Sequence, residues 1–85
     1  MTYTVLWHPK AEAELAAVWL DAPNRTAVTT AAAAVDGWLA ADPLAAGESR
    51  DPASMRLGFE RPLGVYFEII EDDKKVVVRH VFAVG

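Results

Sequence analysis

The hydrophobic period of this chain changes once. From Pro9 to about Asp42, apolar residues recur every three or four positions. From Ser54 onward they recur every second position. A period near 3.6 belongs to helices and a period of 2 to strands. The chain therefore builds its helices first and most of its strands afterwards. That segregation predicts an α+β fold, in which helices cover one face of a mainly antiparallel sheet.

The elements follow from local chemistry. "TYTVLWH", Thr2 to His8, alternates and is rich in β-branched and aromatic residues, so it reads as a strand with Tyr3, Val5 and Trp7 on one face. Pro9 ends it and suits the first turn of a helix. "PKAEAELAAVWLDA" places Ala11, Leu15, Val18, Trp19 and Ala22 on one stripe, and Pro23 breaks it. Asn24 is the N-cap of a second helix from Arg25 to about Asp42, with Val28, Ala31, Ala32, Val35, Trp38 and Leu39 inward. Gly37 lies inside it and reads as a point of close contact. Pro43 ends this helix, and "PLAAGESRDPAS" is the one extended loop.

Three short strands follow, "SMRLGFE", "VYFEII" and "VVVRHVFAV", linked by "RPLG" and "EDDKK". Turns this short predict an antiparallel meander. The order is β-α-α-β-β-β: a helical hairpin packed on one face of a largely antiparallel four-stranded sheet. With 85 residues the chain is expected to form one domain, residues 1–85. Sixteen residues are alanine, so the large core candidates are few: Trp7, Trp19, Trp38, Phe59, Phe67 and Phe82.

Composition excludes several classes. There is no cysteine, hence no disulfide and no thiolate metal site. No run approaches the roughly 18 apolar residues of a membrane helix. The opening "MTYTVLWHPK" lacks the basic and apolar regions of a signal peptide. The expectation is a cytoplasmic chain with no membrane partner. No Gly-rich loop cradles a phosphate and no His/acid cluster has metal spacing, so neither cofactor nor metal is expected. The net charge of −4 gives no global footprint for nucleic acid.

Against that acidic background three of the five arginines, Arg50, Arg56 and Arg61, fall within twelve residues. Alternation in "SMRLGFE" assigns Met55, Leu57 and Phe59 to the helices and Arg56 to the opposite, open face. Burying an unpaired guanidinium is costly, which puts Arg79 on that face too. Arg61 lies at the turn beside it, and Arg50 is placed to fold over it as a substrate-binding group. Tyr66 shares the arginine face, where it can stack or supply a hydroxyl. His80 falls on the face opposite Arg79 by the same alternation. Two readings stand side by side. The arginines form a concave patch for phosphate or carboxylate, or they solvate the surface and pair with Glu48, Asp51, Glu60 and Glu68. His8 reads as the residue that ends the strand or starts the helix.

Three pieces together, "P-x-A-x-x-E-L" from Pro9, "GESR" at Gly47–Arg50 and "P-L-G-V-x-F" from Pro62, resemble the RelE/ParE superfamily of bacterial toxins over nearly the full chain. The resemblance implies the toxin half of a type II toxin–antitoxin pair, neutralised by a cognate antitoxin. In the RelE branch it implies cleavage of messenger RNA on the ribosome. In the ParE branch it implies inhibition of DNA gyrase without a catalytic set, and a degenerate member would only hold its antitoxin. Carried over residue by residue, Arg56, Arg61 and Arg79 match the basic positions of the nuclease branch, with Tyr66 and His80 as candidates for proton transfer. The sequence departs from that branch: there is no lysine on the second strand, and no histidine or tyrosine among Val81 to Gly85.

Overall fold

The structure, a computed structural model, describes residues 2–45, 48–49 and 54–84. Strand β1 (Thr4–Trp7) leads into helix α1 (Pro9–Asp21), and α2 (Arg25–Ala41) returns antiparallel to it. A two-residue strand β2 (Glu48–Ser49) follows, then β3 (Met55–Glu60), β4 (Leu63–Ile70) and β5 (Lys75–Ala83). The sheet order is β1-β5-β4-β3-β2. β1 runs parallel to β5, and the other pairings are antiparallel. The expected hairpin and meander are both present; the extended loop adds β2 as a short fifth strand at the edge.

The helix ends form as their sequences dictate. His8 opens α1, its Nδ1 accepting from the Lys10 N–H at 3.1 Å. Asn24 opens α2 by accepting from the Ala27 N–H at 3.1 Å, which satisfies one of the first-turn donors. Arg25 serves the other end of the hairpin. Its Nε and Nη2 donate to the carbonyls of Trp19 (3.2 Å) and Leu20 (3.0 Å), and its guanidinium stacks 4.7 Å from the Trp19 ring centroid. One side chain thus satisfies two of the terminal carbonyls of α1 and fixes the turn. Trp19 is therefore 39% exposed at the hairpin tip, not in the core as the stripe suggested.

The core lies between the helices and one sheet face. Ala11, Val28, Ala31, Val35 and Leu39 meet Leu63, Val65, Phe67, Ile69, Val76, Val78 and Val81. The small alanines let the helices approach the sheet closely. Trp7 and Trp38 are half-buried at opposite margins and each donates its indole N–H to a carboxylate: Trp7 to Asp36 at 3.1 Å, Trp38 to Glu60 at 3.0 Å. Past β4, Lys74 adopts the left-handed conformation at φ 51°. Lys74 and Tyr3 both donate to Glu71, and these bonds, that from Lys74 first, hold the Glu71 carboxyl below the usual carboxylate range.

Gly37 does not serve close packing. A Cβ there meets nothing within 4 Å. The residue is exposed and inside a helix, so Gly37→Ala is expected to stabilise the fold by about 0.5–1 kcal/mol through the unfolded chain's entropy. Urea unfolding checks this, and a destabilised variant would show that the glycine answers a constraint not visible in its surroundings.

Candidate functional site on the open face of the sheet

β4 sets the two faces. Leu63, Val65, Phe67 and Ile69 are buried against the helices, so Gly64, Tyr66, Glu68 and Ile70 point to the other side. Directly opposed residues share a face. Leu57 opposes Tyr66 and Phe59 opposes Gly64, so the apolar set of β3 lies on the open side. Arg56 opposes Phe67 and lies on the helix side. This reverses the assignment made from alternation. The cause is Trp38: its indole passes so close over Gly58 that a Cβ there would sit 2.9 Å from Cη2. The Arg56–Gly58–Glu60 set is thus the one that α2 covers.

β5 reaches the open face through a bulge. Val78 opposes Phe67 while His80 opposes Tyr66, leaving Arg79 as the extra residue. Strict alternation would have separated Arg79 from His80; the bulge brings both to the Tyr66 and Glu68 side. Arg79 donates from Nε (3.1 Å) and Nη2 (2.6 Å) to the same Glu68 oxygen. Tyr66 and His80 meet as rings, centroids 6.2 Å apart. His80 also brings Nδ1 to 3.4 Å from Glu14, whose carboxylate accepts from the Val81 N–H at 3.1 Å. That bond satisfies β5 where β1 no longer pairs with it.

Aromatic side chains complete the face. Phe82 lies across Gly64, where any Cβ would overlap its ring, and meets Phe59 edge-on with centroids 6.3 Å apart. Phe59 is 56% exposed and Phe82 38%. Both were expected in the core and both lie outside it. A glycine inside a strand marks such a close approach, and Gly58 and Gly64 were the signals that could have placed Trp38 and Phe82.

The arginines are dispersed. Arg79 is on the open face, held by Glu68. Arg56 is on the helix side. Arg61 lies in the β3–β4 turn and lines a hollow at the hairpin tip with Asp21, Pro62 and Val84. Five residues of extended chain put the Arg56 and Arg61 backbones about 17 Å apart. Arg50 lies outside the described residues. The structure therefore assembles Arg79, Tyr66 and His80 with Glu68 but does not bring Arg56 or Arg61 to them. No hydrogen bond joins Tyr66 to His80 among the described residues; the two meet only as rings. The face offers aromatic and apolar contact around the Arg79 guanidinium, itself paired with Glu68. Among the described residues no group of three or more His, Asp or Glu could hold a metal, and no helix is long and apolar enough to cross a membrane.

No family model matches the sequence, and no curated protein matches it. Solved structures do match. A chain of the toxin–antitoxin complex RelBE2 from Mycobacterium tuberculosis superposes with a TM-score of 0.79 at 21% identity, covering 98% of this chain and 99% of that one. A chain of the chromosomal ParDE TA system from P. aeruginosa gives 0.75 at 19% identity, covering 99% and 98%. This chain therefore shares its fold with a chain of each complex over nearly its whole length.

Proposed function

We propose that this chain is the toxin component of a type II toxin–antitoxin pair, neutralised by a cognate antitoxin, and that it arrests growth by binding its target through the open sheet face. The observation that carries the reading is the full-length match of fold to chains of two toxin–antitoxin complexes. Fold alone does not choose the mechanism, so the site must. RNA cleavage asks for several cations converging on one phosphate, with an acid and a base in reach. Here Arg56 and Arg61 lie away from Arg79, and Arg79 spends two donors on Glu68. Exposed Phe59 and Phe82 beside Tyr66 supply instead the aromatic anchors typical of a protein–protein contact. Arg79, Tyr66 and His80 then act as contact residues at the margin of that patch. DNA gyrase, the target of the ParE branch, is the first to test, ahead of the ribosome.

The experiment is induction of this chain without antitoxin. Growth arrest is expected, with transcripts intact by primer extension and supercoiling by purified gyrase inhibited. Transcripts cut at discrete sites would move the assignment to ribosome-dependent cleavage. Unchanged growth, with the protein folded and abundant, would leave only a partner-binding role.

A further inference from the structure

Helix α1 carries an acid where its sheet-facing stripe should be apolar. Ala11, Leu15 and Val18 pack toward the core. Glu14 stands between Ala11 and Val18 at i+3 and i+4 spacing, so it falls on the same side. It is the glutamate of "P-x-A-x-x-E-L". The start of a helix favours acids, but that benefit fades within the first turn, where Glu12 already lies. A carboxylate turned toward a sheet needs partners, and β5 supplies them. β1 accompanies β5 only from Lys75 to Val78. Further along, the Val84 N–H donates to the Pro62 carbonyl at 2.9 Å across the Leu63–Ala83 pair. That pattern turns the N–H of Val81 away from β4. Glu14 Oε1 accepts it at 3.1 Å and stands 3.4 Å from His80 Nδ1. A single oxygen thus faces a backbone donor and one nitrogen of the imidazole.

We propose that Glu14 is a positioning residue for the open face: it fixes His80 in the tautomer with its proton on Nδ1, and leaves Nε2 as an acceptor for a hydroxyl or N–H of the target. The Val81 N–H holds the oxygen in place, so the imidazole adapts to the carboxylate and not the reverse. A carboxylate only accepts, so the nitrogen beside it is the protonated one. A neutral imidazole has a single N–H, and Nε2 is then unprotonated. No hydrogen bond occupies Nε2 among the described residues. Tyr66 meets the ring only as a ring, and Arg79 is held by Glu68. The bulge matters here, because it sets His80 beside Tyr66 while the Val81 side chain stays in the core. The position therefore fits a donor. With the ring neutral it turns away carboxylate and phosphate oxygens, which would meet a lone pair. This use of the face rests on the target-contact reading above; the tautomer is a property of the free chain.

The test is nitrogen NMR of the two labelled imidazoles in the free protein, at about two pH units above the ordinary histidine value, where the ring is neutral. His8 is the internal contrast. Its Nδ1 accepts from the Lys10 N–H, so its proton lies on Nε2. His80→Gln assigns the signals. His80 is expected to show the reverse of the His8 pattern, with Nδ1 upfield and Nε2 downfield. Glu14→Ala should move it toward the His8 pattern, the tautomer a free imidazole favours in water. Glu14→Gln should keep the original pattern, because the Val81 N–H selects the amide oxygen. A wild-type His80 with its proton on Nε2 would overturn the proposal, and that spectrum decides alone should Glu14→Ala not fold. An unchanged pattern in Glu14→Ala, with only the Val81 amide exchanging faster, would overturn it too and make Glu14 a clasp for the sheet edge. Growth arrest is a separate readout: its absence removes the target reading, while the spectrum still decides the tautomer.

Discussion

Phe67→Ala is expected to remove about 3–5 kcal/mol of stability, the range for deleting a fully buried aromatic side chain. Phe67 is 0% exposed, occupies the middle of the central strand β4, and meets the edge of Trp38 with centroids 6.0 Å apart. It is also the largest of the fully buried side chains. Few neighbours can collapse into the space it leaves, because the facing helices contribute mainly alanine and valine. For a chain of this length, total stability at about 0.05–0.15 kcal/mol per residue is only about 4–13 kcal/mol, so one substitution consumes a large share of it. The melting temperature should fall by more than about 12 °C, taking the lower ends of the ranges for the loss and for the shift per kcal/mol. Urea unfolding with an unchanged slope measures it directly. A loss below about 1 kcal/mol would mean that the core centres elsewhere. In the cell such a variant loses abundance before it loses any specific contact, so its effect on growth says nothing about the site.

The parts of the fold legible in the sequence were those fixed by local chemistry. Pro9, Asn24 and Pro43 bound the helices, and the change of period separated them from the strands. The face of each strand was harder. In β3, Met55, Leu57 and Phe59 are apolar and Arg56, Gly58 and Glu60 are not, so alternation points the first set inward. The structure inverts this because the covered side is built around one large ring. Trp38 needs Gly58 beneath it and a carboxylate, Glu60, for its N–H. A polar-looking set can thus be the covered one when a tryptophan with a polar handle lies over it. In β5 an unbroken period of 2 would put Arg79 and His80 on opposite faces. A single extra residue at Arg79 shifts the parity of everything after it, and no residue in "VVVRHVFAV" announces the bulge. Arg79 reached the open face as expected, but with His80 beside it. Arg56 and Arg61 are neighbours in sequence because they lie on one strand and its turn, not because they share a face with Arg79.

If target contact runs through the open face, Phe59→Asp should abolish growth arrest while leaving the fold standing. Phe59 is 56% exposed and touches Phe82 edge-on, so its replacement removes little buried area. Unlike Phe67, it belongs to no core cluster. A central aromatic anchor at an interface is typically worth about 2 kcal/mol or more, which corresponds to a loss in target affinity of about thirtyfold or greater. A carboxylate placed there adds an unpaired charge that the partner would have to desolvate. Phe82→Asp should act in the same direction but cost more stability, because Phe82 also shields Gly64. The control is Arg61→Ala, at the hairpin tip and away from this face: it should remain fully toxic. Colony counts after induction, read beside the amount of folded protein, separate the outcomes. If Phe59→Asp stays toxic and Arg61→Ala does not, the working surface lies on the helix side. Glu68→Gln separates the remaining case. It weakens the Arg79 pairing without removing the guanidinium, so toxicity that rises in this variant would identify Arg79 as a contact whose cation is held in reserve by its neighbour.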